Sequence, residues 1–112
     1  SKQHKDFLKQ ASDLRTNEKP GEAAKILRDR ILRSRIESPY MKDAQTLLDQ
    51  LMNEELRHKI AELEAIRGGS CKKELKLVSF CDTILLIDPK HEKTKQARKK
   101  AMQRKQRLRG CK

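Results

Sequence analysis

Three cysteines and three histidines hold the most reactive side chains in this sequence: Cys71, Cys81 and Cys111, with His4, His58 and His91. Zinc sites draw thiolates and imidazoles in close pairs such as C-x-x-C, and here every one stands alone, so no metal is expected. Taken singly, Cys81 reads as a small core residue, Cys71 as a helix-start residue and Cys111 as an exposed tail thiol. An odd number of cysteines at wide gaps argues against a disulfide framework and for a reducing, cytoplasmic compartment. No Ser, Cys or Lys lies in a motif that would hold a base beside it, and no Gly-rich phosphate loop occurs. Neither an enzyme nor a cofactor is therefore expected. The acids Glu54, Glu55, Glu62 and Glu64 fall among Arg57, Lys59 and Arg67 at helical spacings, a solvated ion-pair surface in which each pair contributes about 0.2–0.5 kcal/mol.

The chemistry left to the chain is charge. Residues 90–112 carry eleven Lys or Arg against one acid, Glu92, and supply +10 of the formal +12, while residues 1–89 are nearly balanced. Such an asymmetry points to an acidic partner. Lys95, Arg98, Lys99 and Arg104 on this stretch, with Arg28, Arg33 and Arg35 in the earlier RDRILRSR cluster, are the candidate partner-binding residues. A nucleic-acid reading is the alternative, each phosphate contact steepening the log-log salt dependence by about 0.9. It is weakened by the lack of any Phe, Tyr or Trp in the basic stretch for stacking bases, and of any Asn to read adenine. Membrane adsorption fits worse, since the stretch lacks the Trp, Phe and Leu face that such helices bury.

The elements that must carry these charges are helices. The composition is 35% apolar but only 3% aromatic, so the core has to be built from Leu, Ile, Ala and Met, residues mostly at home in helices. A chain of 112 residues fits one domain, here 1–112. Phe7, Leu8, Ala11 and Leu14 form a helical stripe over 4–17. Pro20, suited to a first helical turn, with Glu22 behind it, opens a second helix. That helix carries Ala23, Ala24, Leu27, Ile31 and Ile36 inward and stops at Ser38-Pro39, closing a hairpin over 4–37. Met41, Ala44, Leu48 and Leu51, then Leu56, Ile60, Leu63 and Ile66, imply one long continuous third helix over 40–67, its stripe rotating near Asn53-Glu54-Glu55. Gly68-Gly69-Ser70 is the strongest break, with Ser70 as N-cap and Lys73 where a capping box would want Glu. The apolar run KLVSFCDTILLI is too long for a typical strand and has no strand partner, so it reads as a central helix ended by Asp88-Pro89. The basic stretch follows as a fifth helix with a thin inner face of Thr94, Ala97, Ala101 and Leu108, fraying beyond Lys105 and completing a hairpin over 71–110.

The punctuation of KQASDLRTNEKPGEAAKILRDRIL and of AELEAIRGGSCKKELKLVSFCDTILLIDPKH resembles the tetratricopeptide repeat, a helix pair of about 34 residues. Ala11, the turn at Gly21 and Ala23-Ala24 with Leu27 occupy the first helix, turn and second helix of one unit; Ala65 and Pro89 bracket the other. The resemblance implies an all-α fold of stacked antiparallel helical hairpins with a groove for a peptide or helix, and no catalytic machinery. The clamp by which one subtype grips a C-terminal carboxylate needs a pair of Asn on first helices; this chain has only Asn17 and Asn53, so the clamp is not carried over.

The expected function is a non-enzymatic protein-protein interaction module or scaffold that binds an acidic peptide or helix. No stretch reaches the roughly 20 apolar residues of a membrane span, and no secretory signal opens the chain. Because it begins without Met, it is read as a segment of a larger protein.

Overall fold

The computed structural model describes residues 2–111 and is all-helical, with five helices and, among the described residues, no strand. The first stripe forms α1 (Lys2–Thr16). Its end is a Schellman turn: Lys19 N–H donates to Leu14 O at 2.8 Å and Glu18 N–H to Arg15 O at 3.1 Å. Glu18 takes the left-handed conformation, φ 60°, that this motif normally gives to glycine. Pro20 then opens α2, which runs as α-helix over Pro20–Ile26 and continues as π-helix over Leu27–Leu32. The long third helix, α3, is helical from 40 to 65, with a π-helical segment at Leu51–Glu55 where the apolar stripe rotates. A π segment accommodates an extra residue per turn, so a continuous helix can change the side it buries. The last two helices are α4 (Cys71–Ile87) and α5 (Glu92–Arg107).

Helix α2 ends earlier than the sequence implies. Arg33 is its C-cap, and Ile36, expected to face inward, is 59% exposed. The Ser34 hydroxyl accepts the Ile36 N–H at 3.1 Å, offering the backbone an alternative to another helical turn. Arg35 thereby moves off the helix into an exposed bend.

The main core gathers Ala11 from α1, Ala23, Ala24, Leu27 and Ile31 from α2, Ala44, Leu48, Leu51 and Leu56 from α3, and Ile84 and Ile87 from α4. Alanines at the α1–α2 contact let the backbones approach closely. Gly21 does the same between α2 and α4, where a Cβ would stand 3.1 Å from the Thr83 carbonyl oxygen. Helix α4 is central, packing against α2, the far half of α3 and α5. Its buried residues, Glu74, Leu77, Cys81, Ile84 and Ile87, form one stripe, while Leu75 and Leu86 stay exposed. The radius of gyration is 16.2 Å and the long axis 51 Å, more extended than the roughly 13 Å expected for a spherical domain of this length.

The cysteines require a correction. Cys71 and Cys111 are joined in a disulfide across 40 residues, and only Cys81 is a free, buried thiol. Antiparallel packing of α4 and α5 produces the pairing, as the partner numbers fall on one helix while they rise on the other: Cys71 with Cys111, Glu74 with Arg104, Asp82 with Arg98. Regular helix stops at Arg107, two residues past Lys105, where the sequence implied that it would give out. The segment beyond is tied to the first residue of α4. The cross-link also removes the ground on which a reducing compartment was inferred.

Candidate partner-binding face

Helix α5 is polar almost everywhere. Of its 16 residues only Thr94 and Ala101 are buried, Ala97 and Met102 being half-covered. Such a helix gains little from apolar burial, and its placement depends on polar partners instead. His91 caps its start by accepting the Thr94 N–H at 3.3 Å. Arg98 Nε meets Asp82 at 2.6 Å. Arg104 Nε donates to both Glu74 carboxylate oxygens at 2.9 Å.

Glu74 is the residue that sequence reading missed. It is fully buried, and besides Arg104 it accepts the Gly69 N–H at 3.0 Å. Ser70 accepts from Lys73 N at 3.2 Å, so the capping-box task expected of position 73 passes to the next residue and reaches Gly69 instead of Ser70. Gly68 makes room for it: a Cβ there would fall 1.9 Å from Glu74 Oε1. The hydrogen bond from Arg104 holds the Glu74 pKa below its ordinary value, against burial, which raises it. A signal was present, since Glu74 extends the Leu77, Cys81, Ile84 stripe backward by three residues.

The candidate cations divide into two roles. Arg28 donates to Leu86 O at 2.6 Å and to Ile87 O. It thus satisfies carbonyls at the C-terminal end of α4, where a positive charge is favoured. Burial draws its pKa below the ordinary value, yet a guanidinium remains protonated. Arg98 and Arg104 are likewise occupied by Asp82 and Glu74, so these three position helices as much as they present charge. Arg33 pairs with Asp29 at 3.0 Å within α2, and Lys95 with Glu92 at 3.3 Å within α5, both on open surface. Lys99 is exposed.

Two open grooves bring most of these residues onto one face. The first, about 600 Å³, runs along α5 beside Lys95, Arg98, Lys99 and Met102. The second, about 290 Å³, lies between Lys25, Arg28, Asp29 and Arg33 on the α2 side and Leu86 and Pro89, three cations against one acid. Leu85 lines both, so the basic cluster of α2 and that of α5 meet across a leucine ridge, Leu85–Leu86, on α4. Arg104 lies apart. It borders a third groove, about 550 Å³, with Ile60, Leu63, Ile66, Leu77 and Ala97 on its apolar side. Arg35 lines neither basic groove.

Burial pushes the Cys81 thiol up from its usual pKa, with Asp82 adding to the effect, so it stays protonated. Among the described residues no group of three or more His, Cys, Asp or Glu is placed to hold a metal ion, and no helix is long and apolar enough to cross a membrane. No protein-family model matches the chain, and neither does any curated protein or any solved structure.

Proposed function

We propose that this chain is a non-enzymatic protein-interaction module, a docking platform of helical hairpins like those of the tetratricopeptide repeat, whose partner is an acidic helix or peptide. One observation carries the reading: Leu85 borders both cationic grooves, joining Lys25, Arg28 and Arg33 to Lys95, Arg98 and Lys99 across an apolar ridge. A ridge of leucines between rows of cations complements a segment that alternates carboxylates with apolar side chains. Charge would steer encounter and the leucines would retain the partner. The same face offers no aromatic platform for stacking bases, which disfavours nucleic acid as the cognate ligand.

The test is fluorescence anisotropy with a labelled Glu/Leu peptide at about 50 mM salt, where a Debye length of about 14 Å leaves surface charge effective. Reversing Lys95→Glu with Lys99→Glu, which touches neither the Glu74 nor the Asp82 pair, should weaken binding about tenfold and flatten its salt dependence. Leu85→Ala should weaken it about fivefold without changing the salt dependence. Equal affinity for all three proteins, or tighter binding to a random RNA oligomer that ignores Leu85→Ala, would overturn the proposal.

A further inference from the structure

We propose that the Cys71–Cys111 cross-link is a redox latch on α5: two-electron reduction by a dithiol frees the helix from α4, and reoxidation docks it again. Little apolar burial holds that helix. Helix α5 buries only Thr94 and Ala101. Ala101, and the Leu77 and Cys81 side chains buried on α4, lie outside the main core cluster. Of the two ion pairs that reach across, Arg98–Asp82 is exposed on both sides, at 39% and 53%, so water screens it; in the other, Arg104 is 46% exposed and can turn to water once the helix lifts, although its partner Glu74 is buried. Eight Lys or Arg against a single Glu within Glu92–Arg107 repel one another. The α4–α5 seam is the most extensive in the fold but is sparse in apolar burial, so the covalent clip at its far end carries a large share of what keeps it closed.

The clip is reachable. Cys71 and Cys111 are only partly buried, and Cys71 is the first residue of α4, behind the Ser70 cap, where the helix dipole favours a departing thiolate. A thiolate of the dithiol attacks one sulfur to give a mixed disulfide. The second thiol of the reductant then displaces the protein sulfur. The dithiol leaves as a cyclic disulfide, having given up two electrons and two protons, and Cys71 and Cys111 end as thiols. The third cysteine reports the outcome, because Cys81 is a free thiol at 0% exposure on α4.

The experiment compares oxidised protein, protein reduced with dithiothreitol, and the Cys71→Ser/Cys111→Ser variant. Iodoacetamide labelling of Cys81 and amide hydrogen exchange are followed peptide by peptide by mass spectrometry. Opening should accelerate Cys81 labelling at least about tenfold and strip protection from α5, while α1 and α2 keep theirs. Unchanged Cys81 labelling and α5 exchange would overturn the latch. So would loss of protection in α2 as well, since the cross-link would then be a staple of the whole fold. Lys95 and Lys99 ride on α5 while Arg28 and Arg33 ride on α2, so opening also parts the two halves of the basic face. That consequence alone rests on the binding reading above and is read separately, as weaker capture of the Glu/Leu peptide by reduced protein; the latch itself is decided by Cys81 labelling and by hydrogen exchange in α5 and α2.

Discussion

Helices α2 and α5 both lean on α4, and they hold it by opposite means. Helix α2 inserts Ala23, Ala24, Leu27 and Ile31 into the main core, with Gly21 pressed to the α4 backbone. Helix α5 offers a threonine and an alanine, then makes up the deficit with a carboxylate fork, an exposed ion pair, a histidine cap and a disulfide. Apolar burial is insensitive to redox state and carries no titrating group, whereas the ion pairs and the disulfide on α5 answer to screening, to pH or to reductant. One side of α4 is therefore fixed and the other adjustable, and the proposed partner face spans the seam between them.

The contrast is broken most severely from the α2 side. Leu27→Ala removes a fully buried side chain and should cost about 2–5 kcal/mol. The loss should appear as a lowered urea midpoint for the entire helical signal, with α1 to α4 melting together. A result confined to α2 would mean that the core is less shared than its packing implies.

Glu74→Gln sharpens the other side. Taking away the carboxylate should cost about 1–3 kcal/mol at neutral pH, Arg104 being half-exposed and able to turn to water. The Glu74 pKa is lowered by folding. Its contribution is therefore full above the ordinary carboxylate range and is lost as pH falls through the folded value. Urea midpoints measured at neutral and acid pH should converge for wild type and Glu74→Gln on acidification. Parallel curves would show that the pair does not contribute in this way.

The smallest effect belongs to the hinge that delivers α2. Glu18 sits at φ 60°, and Glu18→Gly should stabilise by about 1 kcal/mol, because glycine adopts that conformation without Cβ strain. Differential scanning calorimetry of the oxidised protein checks it through a raised Tm. An unchanged Tm would mean that the Schellman turn absorbs the strain elsewhere.

The helices themselves were legible in the sequence because their signals are local. Pro20, Pro39, Gly68-Gly69 and Pro89 mark the breaks, and a period of 3.6 marks the stripes. The error at Ile36 is instructive: periodicity continues past Leu32, but nothing in the fold covers that side chain, so the pattern promised a burial that packing did not supply. Non-local links were out of reach for a different reason. Arg28 reaches carbonyls 58 and 59 positions away, Glu74 meets Arg104 across 30, and Cys71 meets Cys111 across 40. Each pairing follows from how hairpins register against each other, which periodicity does not specify. The candidate cations illustrate both halves of the lesson. Their clustering along the chain was visible, but their division between the leucine-ridged face and the clamps depends on which side of α4 each helix occupies.

The widened turn at Leu51–Glu55 also has mechanical meaning. The first half of α3 faces α1 and α2, and its far half faces α4, so this one turn hands the rod from one neighbour to the next. Deleting a single residue there would restore an even spiral but rotate everything beyond it by about 100°. Leu56, Ile60 and Leu63 would then point away from α4, unseating it although no residue of that helix had changed.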